Sequence, residues 1–174
     1  AGAGEDQLAP EAVDIATLVD ELDLEVVGAD DVDDAPDVPE TEVTFLGNAR
    51  LKAAAIVAAT GLPAVADDTG LEVDALDGRP GVHTARYAGA GCSAADNRAK
   101  LLAEMSVVEH RNAAFKTVVL VMWPDGTELT AEGSCSGVIT TSERGGAGFG
   151  YDSVFQPDEG GGRLEVVRER WGLR

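Results

Sequence analysis

Two adjacent acids stand where an apolar segment of the chain gives way to a glycine. Asp67 and Asp68 follow the apolar run, and the dipeptide Thr69-Gly70 comes next. Successive side chains of a strand point to opposite faces, so only one of the two acids can face a given pocket. Functional sites in open α/β sheets lie beyond the carboxyl ends of strands. We therefore predict that Asp68, as the last residue of a strand, is a metal ligand or general base, although acids at strand ends also serve turns.

A second acid and a lysine accompany the first strong helical pattern. Glu40 precedes this pattern, and Lys52 lies within it four residues after Asn48, so Asn48 and Lys52 share a helix face. Glu40 could instead serve only the helix dipole, and Lys52 could be merely solvated. If Glu40 approaches Asp68, the pair needs a cation, because two carboxylates about 4 Å apart repel by about 4 kcal/mol at an effective dielectric of about 20. Oxygen ligands and a phosphate substrate would select magnesium, and Lys52 would then contact phosphate.

A glycine-rich segment, residues 144–152, carries an aromatic residue between two glycines. It reads Arg-Gly-Gly-Ala-Gly-Phe-Gly-Tyr-Asp. Glycines let the backbone approach a ligand closely, and strand periodicity does not explain Phe149. A flat ring on such a loop suits stacking on a base, and Asp152 could accept hydrogen bonds from base nitrogens. The alternative is a tight turn in which Phe149 fills the core.

Composition excludes several other classes of function. The formal net charge is −19, which repels nucleic-acid backbones and argues against DNA or RNA as a partner. A nucleotide enzyme with this charge needs a divalent cation and locally placed basic residues. Cys92 and Cys135 lack the spacing of a zinc site, and His83 stands alone. No apolar run is long enough to span a bilayer and no signal peptide opens the chain, so we expect a cytoplasmic protein without membrane contact.

Hydrophobic periodicity predicts the elements that must position these residues. Helices are predicted over 44–60, which Thr44 caps and Gly61 ends, and over 93–105, which Ser93 and Asp96 open as a capping box. The predicted strands are Leu62–Asp68, Ala113–Trp123, Thr127–Glu132 and Val138–Thr141. Helical spacing of apolar residues also predicts helices over 13–22 and 164–174. Leu24–Val27 is predicted to be a short strand. Early alternation of helices and strands, followed by hairpins, predicts an α/β fold with a mixed sheet.

Taken together, these motifs resemble the Ham1/inosine-triphosphatase family. The similar segments occur in the order and spacing of that family from about Leu24 to Pro157. They are Pro39-Glu40-Thr41 with Thr44-Phe45 and Asn48-Ala49, residues 65–76, residues 78–89, Asp96-Asn97 with Lys100-Leu101-Leu102, and residues 148–152. Each segment alone is weakly specific, whereas their joint occurrence is highly specific.

The resemblance implies a single domain over residues 1–174, with an elongated mixed sheet, flanking helices and two lobes around a central cleft. It implies a homodimer that uses magnesium to hydrolyse inosine, deoxyinosine and xanthosine triphosphates to the monophosphate and pyrophosphate. By this resemblance Asp68 is the general base and a metal ligand, and Glu40 is a second acid at the metal. Lys52 contacts phosphates and Thr69 the substrate. Four consecutive residues hold the purine: Phe149, Gly150, Tyr151 and Asp152.

The two ends of the chain depart from the family pattern. Residues 1–23 lack the Thr/Ser-x-Asn-x-x-Lys loop, and residues 158–174 lack the final Lys and Ser-His-Arg segment. In the family, these two motifs supply cations that bind the polyanionic substrate. Because this chain lacks them, we expect weak or absent hydrolysis from the sequence. An alternative is a catalytically impaired descendant that binds a nucleotide or only forms a dimer. A related Maf-type pyrophosphatase is a third possibility, against which the Phe149 loop argues.

Overall fold

The computed structural model describes residues 25–32, 36–145 and 149–158. Two α-helices and four strands form the framework, with short 3₁₀ helices between them. The helices are α1 (Phe45–Thr60) and α2 (Ala94–Glu104). The strands are β1 (Ala64–Val73), β2 (Asn112–Met122), β3 (Glu128–Ile139) and β4 (Phe155–Pro157). None of the helices in the described residues is long and apolar enough to cross a membrane.

Both helices begin as their sequences predict. The Thr44 side chain accepts a hydrogen bond from the Gly47 N–H at 3.0 Å, and Gly61 ends α1 in the left-handed region with φ 69°. At the start of α2, Ser93 and Asp96 exchange both hydrogen bonds of a capping box. These local signals therefore fix the ends of α1, the helix that carries Asn48 and Lys52.

The four strands form one sheet in the order β1-β2-β3-β4, and all described pairings are antiparallel. The α/β fold class is thus confirmed, and the parallel pairing expected of a mixed sheet is not found among the described strands. The Pro124-Asp125-Gly126 turn joins β2 to β3 as predicted, closed by the Trp123 N–H to the Thr127 carbonyl at 2.9 Å.

Three strand predictions outside β1 need correction. Thr127–Glu132 and Val138–Thr141 were predicted as separate strands, but the single strand β3 covers most of the first and half of the second, because β3 pairs with β2 without a break from Glu128 to Val138. Residues 25–27 of the predicted strand Leu24–Val27 have no regular structure, and both valines there are exposed. The predicted helices over 13–22 and 164–174 lie outside the described residues, as does Leu24.

The sheet separates two apolar clusters. On one face, Ala49 and Ala53 of α1 pack against Ala64 and Leu120. On the other face, α2 packs with the second half of β1 and with the residues around β4. That larger cluster contains Leu71, Val73, Leu76, Tyr87, Leu101, Met105, Ala113, Ile139, Tyr151, Val154 and Phe155. Every side chain of β1 therefore belongs either to the α1 face or to the α2 face of the sheet.

Candidate active site

The two adjacent acids lie on opposite faces of β1. Asp68 is buried, with 7% of its surface exposed, on the face that α1 covers, whereas Asp67 is exposed. The prediction that only one of the acids enters a site is thus confirmed. The prediction that Asp68 ends its strand is wrong: β1 continues to Val73, because Leu71 and Val73 extend the buried pattern and keep pairing with β2. Asp68 therefore projects from the middle of a strand, a more rigid position than a turn.

Lys52 joins the two acids selected from the sequence. Its Nζ lies 3.3 Å from Oε1 of Glu40 and 3.7 Å from Oδ1 of Asp68. The Lys52 side chain is partly buried, as is that of Glu40. One ammonium group therefore lies between two carboxylates that would otherwise repel each other.

Arg86 completes this cluster, and the sequence did not single it out for a role. Its Nη1 donates to Oε2 of Glu40 at 3.1 Å, and its Nη2 donates to the Glu40 main-chain carbonyl at 2.9 Å. The only sequence signal was its place in the Ala85-Arg86-Tyr87 motif. Two acids and two bases thus meet, and their formal charges sum to zero.

The carboxylate of Asp68 is under opposing influences. Burial raises its pKa above the ordinary value and is the largest effect. The hydrogen bond from Asn48 Nδ2 to Oδ2, at 2.9 Å, opposes that rise, as does the charge of Lys52, whereas Glu40 adds to it. A buried carboxylate whose proton affinity is raised suits a general base.

Thr69 is not brought to the acids through its side chain. Its hydroxyl lies 2.7 Å from the Thr117 hydroxyl and 3.3 Å from Oδ2 of Asp67, on the face of β1 opposite Asp68. This placement follows from the alternation of side chains along a strand. The Thr69 main-chain amide does act on the Asp68 carboxyl, since it opposes the rise of the Asp68 pKa.

The aromatic loop presents one ring to solvent and buries another. Phe149 is 78% exposed, so the alternative in which it fills the core is wrong. Tyr151 fills the core instead, with 3% of its surface exposed. Asp152 accepts the Phe149 N–H at 2.9 Å, and Arg98 donates to the Gly150 carbonyl at 2.9 Å. These bonds hold the loop in a shape that leaves the Phe149 ring available for stacking.

A single 3₁₀ helix, Gly81–Arg86, contacts both parts of the candidate site. Its last residue, Arg86, donates hydrogen bonds to the carboxylate and main-chain carbonyl of Glu40 in the acid cluster. Its Thr84 carbonyl accepts the Tyr151 hydroxyl at 3.0 Å, at the foot of the aromatic loop. The acid cluster and the aromatic loop are therefore attached to the same short element.

The donor chemistry of this cluster fits a hard divalent cation. Among the described residues, no group of three or more His, Cys, Asp or Glu could hold a metal by itself. Two carboxylates are present, and magnesium in phosphate-transfer sites is commonly bound by one or two carboxylates with substrate phosphates and water. Glu40 and Asp68 are the residues that would hold such an ion, and both already pair with the Lys52 ammonium.

The sequence model of the Ham1 family matches residues 11–166 of this chain. The chain is 45% identical over 153 residues to a dITP/XTP pyrophosphatase of Geobacter sulfurreducens, covering 87% of this chain and 77% of that protein. It is 48% identical over 139 residues to a dITP/XTP pyrophosphatase of Streptomyces coelicolor, covering 79% and 70% of the two chains.

Solved structures agree with these sequence relatives. The Ham1 protein of Coxiella burnetii is similar with a TM-score of 0.80 and 32% identity, covering 90% of this chain and 84% of that chain. The Ham1 protein of Staphylococcus aureus is similar with a TM-score of 0.79 and 34% identity, covering 92% and 87%.

Proposed function

Since this chain belongs to the Ham1 family, we propose that it hydrolyses inosine, deoxyinosine and xanthosine triphosphates to the monophosphate and pyrophosphate. The names of its relatives, the dITP/XTP pyrophosphatases, support this substrate class and an active enzyme, against the weak or absent hydrolysis expected from the two ends of the chain. The observation that carries the proposal for this chain is the placement of Lys52 between Asp68 and Glu40. A buried carboxylate, a second acid and two bases form a site in which water can be activated beside a polyphosphate.

In the proposed mechanism, Asp68 accepts the proton of the attacking water, since burial raises its proton affinity while the Asn48 hydrogen bond favours its ionised form. Lys52 and Arg86 lower the charge repulsion that a triphosphate meets at the two acids. Glu40 and Asp68 are proposed ligands of Mg²⁺, which when bound would supply charge neutralisation and Lewis-acid polarisation of the phosphates.

The aromatic loop is the proposed base site. Phe149 would stack on the purine, while Gly150 and Asp152 offer polar main-chain and side-chain groups near its edge. The role of Tyr151 is positional, because its buried hydroxyl ties the loop to the helix that also carries Arg86. Thr69 would assist through its main chain, as its hydroxyl faces away.

The proposed function is tested by pyrophosphate release from ITP, XTP and dITP with Mg²⁺, and from ATP as the comparison. We expect Asp68→Asn to abolish turnover with the fold intact, as judged by circular dichroism. Asp67→Asn is the matched control, since it removes the same charge from the opposite face of β1 and should retain activity. Equal rates for both variants, or equal turnover of ATP and ITP by the unaltered protein, would contradict the proposal.

We also propose that the protein is cytoplasmic, because the nucleotide pool on which such an enzyme acts is cytoplasmic. We propose further that it forms a homodimer. An apolar row crosses three paired strands on one face of the sheet: Val65 opposite Val121, and Val121 opposite Leu129. Val65 and Leu129 are largely exposed, and contiguous exposed apolar surface is typical of interaction sites. Sedimentation analysis of Val65→Glu against the unaltered protein tests this assembly; a monomeric unaltered protein would refute it.

A further inference from the structure

Asn48 is a fully buried polar side chain that bonds both Asp68 and the segment following Glu40. It is 0% exposed, is the fourth residue of α1, and faces β1. Asparagine is a weak helix former, because its side chain competes for backbone hydrogen bonds. A buried asparagine in an otherwise alanine-rich helix therefore needs a compensating set of contacts.

The contacts of Asn48 leave only one orientation of its amide. Its Oδ1 accepts the Glu42 main-chain N–H at 3.0 Å, and this partner can only donate. Its Nδ2 consequently faces Oδ2 of Asp68 at 2.9 Å, and an ionised carboxylate can only accept. Each end of the amide thus has a partner of the matching kind.

These two bonds reach the two different acids. One fixes the Asp68 carboxylate directly and directs its other oxygen, Oδ1, toward Lys52. The other fixes the backbone at Glu42, two residues after Glu40 in the segment that precedes α1. Asn48 is 20 residues from Asp68, which lies in β1, and 6 residues from Glu42, which lies in the loop before α1. One side chain of α1 therefore joins a strand, a helix and a loop.

We propose that Asn48 is a positioning residue that aligns the Asp68 carboxylate and the Glu40 segment into one divalent-cation site. This inference rests on the proposed function, in which the two acids hold the metal. Partners that orient metal-binding carboxylates are themselves needed for affinity, and their replacement commonly costs about 10–100-fold in metal affinity or activity. Asn48 would act without touching the substrate.

Mn²⁺ affinity is the readout that does not require catalysis. Titration of the protein with Mn²⁺, followed by electron paramagnetic resonance, would be compared with the same titration of Asp68→Asn, so that binding to the acidic surface is subtracted. We expect Asn48→Leu, which keeps the size of the side chain but makes neither hydrogen bond, to weaken the site-specific binding about 10–100-fold. Asn48→Ala is the second variant, should leucine prevent folding.

Asn97 supplies a matched control. It is also a buried helix asparagine, and its amide bonds the Ala88 N–H at 2.7 Å and the Ala85 carbonyl at 3.0 Å, without contact to Asp68. Because these two bonds flank Arg86 and do not reach the acids directly, Asn97→Leu should lower thermal stability by an amount comparable to Asn48→Leu but weaken Mn²⁺ binding far less. A purely structural role of Asn48 predicts the same behaviour for both variants.

A double-mutant cycle separates positioning from general damage. In the Asp68→Asn background, Asn48→Leu should have little further effect on Mn²⁺ binding, because the carboxylate it orients is gone. In turnover assays with dITP, kcat should fall at least about 10-fold while KM changes less than about threefold, since the Asn48 amide bonds the acid cluster and not the aromatic loop.

Undiminished Mn²⁺ affinity of Asn48→Leu and Asn48→Ala would overturn the inference, as would a loss equal to that of Asn97→Leu. If the unaltered protein binds Mn²⁺ at the Asp68-dependent site but releases no pyrophosphate, the proposed function fails while the inference about Asn48 is still decided by the titrations. If no Asp68-dependent Mn²⁺ binding exists, both are overturned.

Discussion

Gly70 offers a sharp test of how closely the elements of the site are packed. It lies on the α1 face of β1, two residues after Asp68. A Cβ placed on Gly70 would lie 2.5 Å from the Gly81 carbonyl oxygen and 2.5 Å from Cε1 of Phe45. Glycine is thus needed here for a close approach of three elements, because neither neighbour is the free end of a flexible side chain.

The size of the effect follows from these distances. Ordinary contacts of a Cβ begin at 3.4 Å, so the backbone near Gly81 or the Phe45 ring must move by about 1 Å. The Gly81 carbonyl also accepts the Thr84 hydroxyl at 2.6 Å, which resists such a movement. Overpacking of this kind costs about 2–3 kcal/mol, which lowers Tm by about 4–12 °C for a chain of this size.

Gly133→Ala is the matched control for Gly70→Ala. Gly133 lies in β3 of the same sheet, and a Cβ there would meet nothing within 4 Å. We expect Gly133→Ala to change stability by less than about 1 kcal/mol, in the stabilising direction, because alanine restricts the unfolded chain. Thermal and urea denaturation of both variants, with pyrophosphate release from dITP, measure the two effects.

Activity of Gly70→Ala should fall by more than its stability explains, since Phe45 begins the helix that carries Lys52 and Gly81 begins the 3₁₀ helix that carries Arg86. If Gly70→Ala denatures within 1 °C of the unaltered protein and retains its turnover, the close packing described for these elements is refuted.

Three other substitutions test separate parts of the site. Phe149→Ala should leave Tm nearly unchanged, because the ring is exposed, but should weaken dITP binding by about 1–3 kcal/mol in KM measurements, and Phe149→Tyr should restore it. Arg86→Lys should lower kcat/KM about 10-fold, because the single nitrogen of an ammonium cannot reproduce the contacts that the two guanidinium nitrogens make with the Glu40 carboxylate and carbonyl. Burial and the hydrogen bond to Glu104 raise the pKa of Tyr87 to about 12 in the folded protein, above the value of about 10 in the unfolded chain. The unfolded chain therefore loses this proton first, and the free energy of unfolding should fall between about pH 10 and 12. This fall should be less steep in Tyr87→Phe, which lacks the titrating hydroxyl. A steeper fall in Tyr87→Phe would contradict that assignment.

Local sequence signals predicted the parts of the fold that local physics controls. Thr44, Gly61 and the Ser93–Asp96 pair each act within one helical turn, and the helix ends lie where they indicate. Strand limits were predicted less well, because they depend on partners far along the chain. The extension of β1 past Asp68 is decided by its register with β2, which no short window of sequence contains.

In the candidate site too, local spacing predicted which residues share a face, whereas contacts between distant segments could not be predicted. Helical spacing placed Asn48 and Lys52 on one face, and strand alternation separated Asp68 from Asp67. The bond of Arg86 to Glu40 joins residues 46 positions apart, and only the packing of the 3₁₀ helix against β1 brings them together. Sequence motifs could mark Arg86 as part of a shared pattern, but its chemical role required the structure.

The net charge of the chain differs from the local charge of the acid cluster. A net charge of −19 opposes the approach of a triphosphate, yet the four charged side chains of the cluster sum to zero. Charges farther away than the Debye length, about 8 Å at physiological ionic strength, are largely screened at the surface, whereas partly buried neighbours are not. The balance of Lys52 and Arg86 against Asp68 and Glu40 therefore governs anion binding more than the total charge does. A bound divalent cation would make the cluster positive by two units, the sign that a polyphosphate requires.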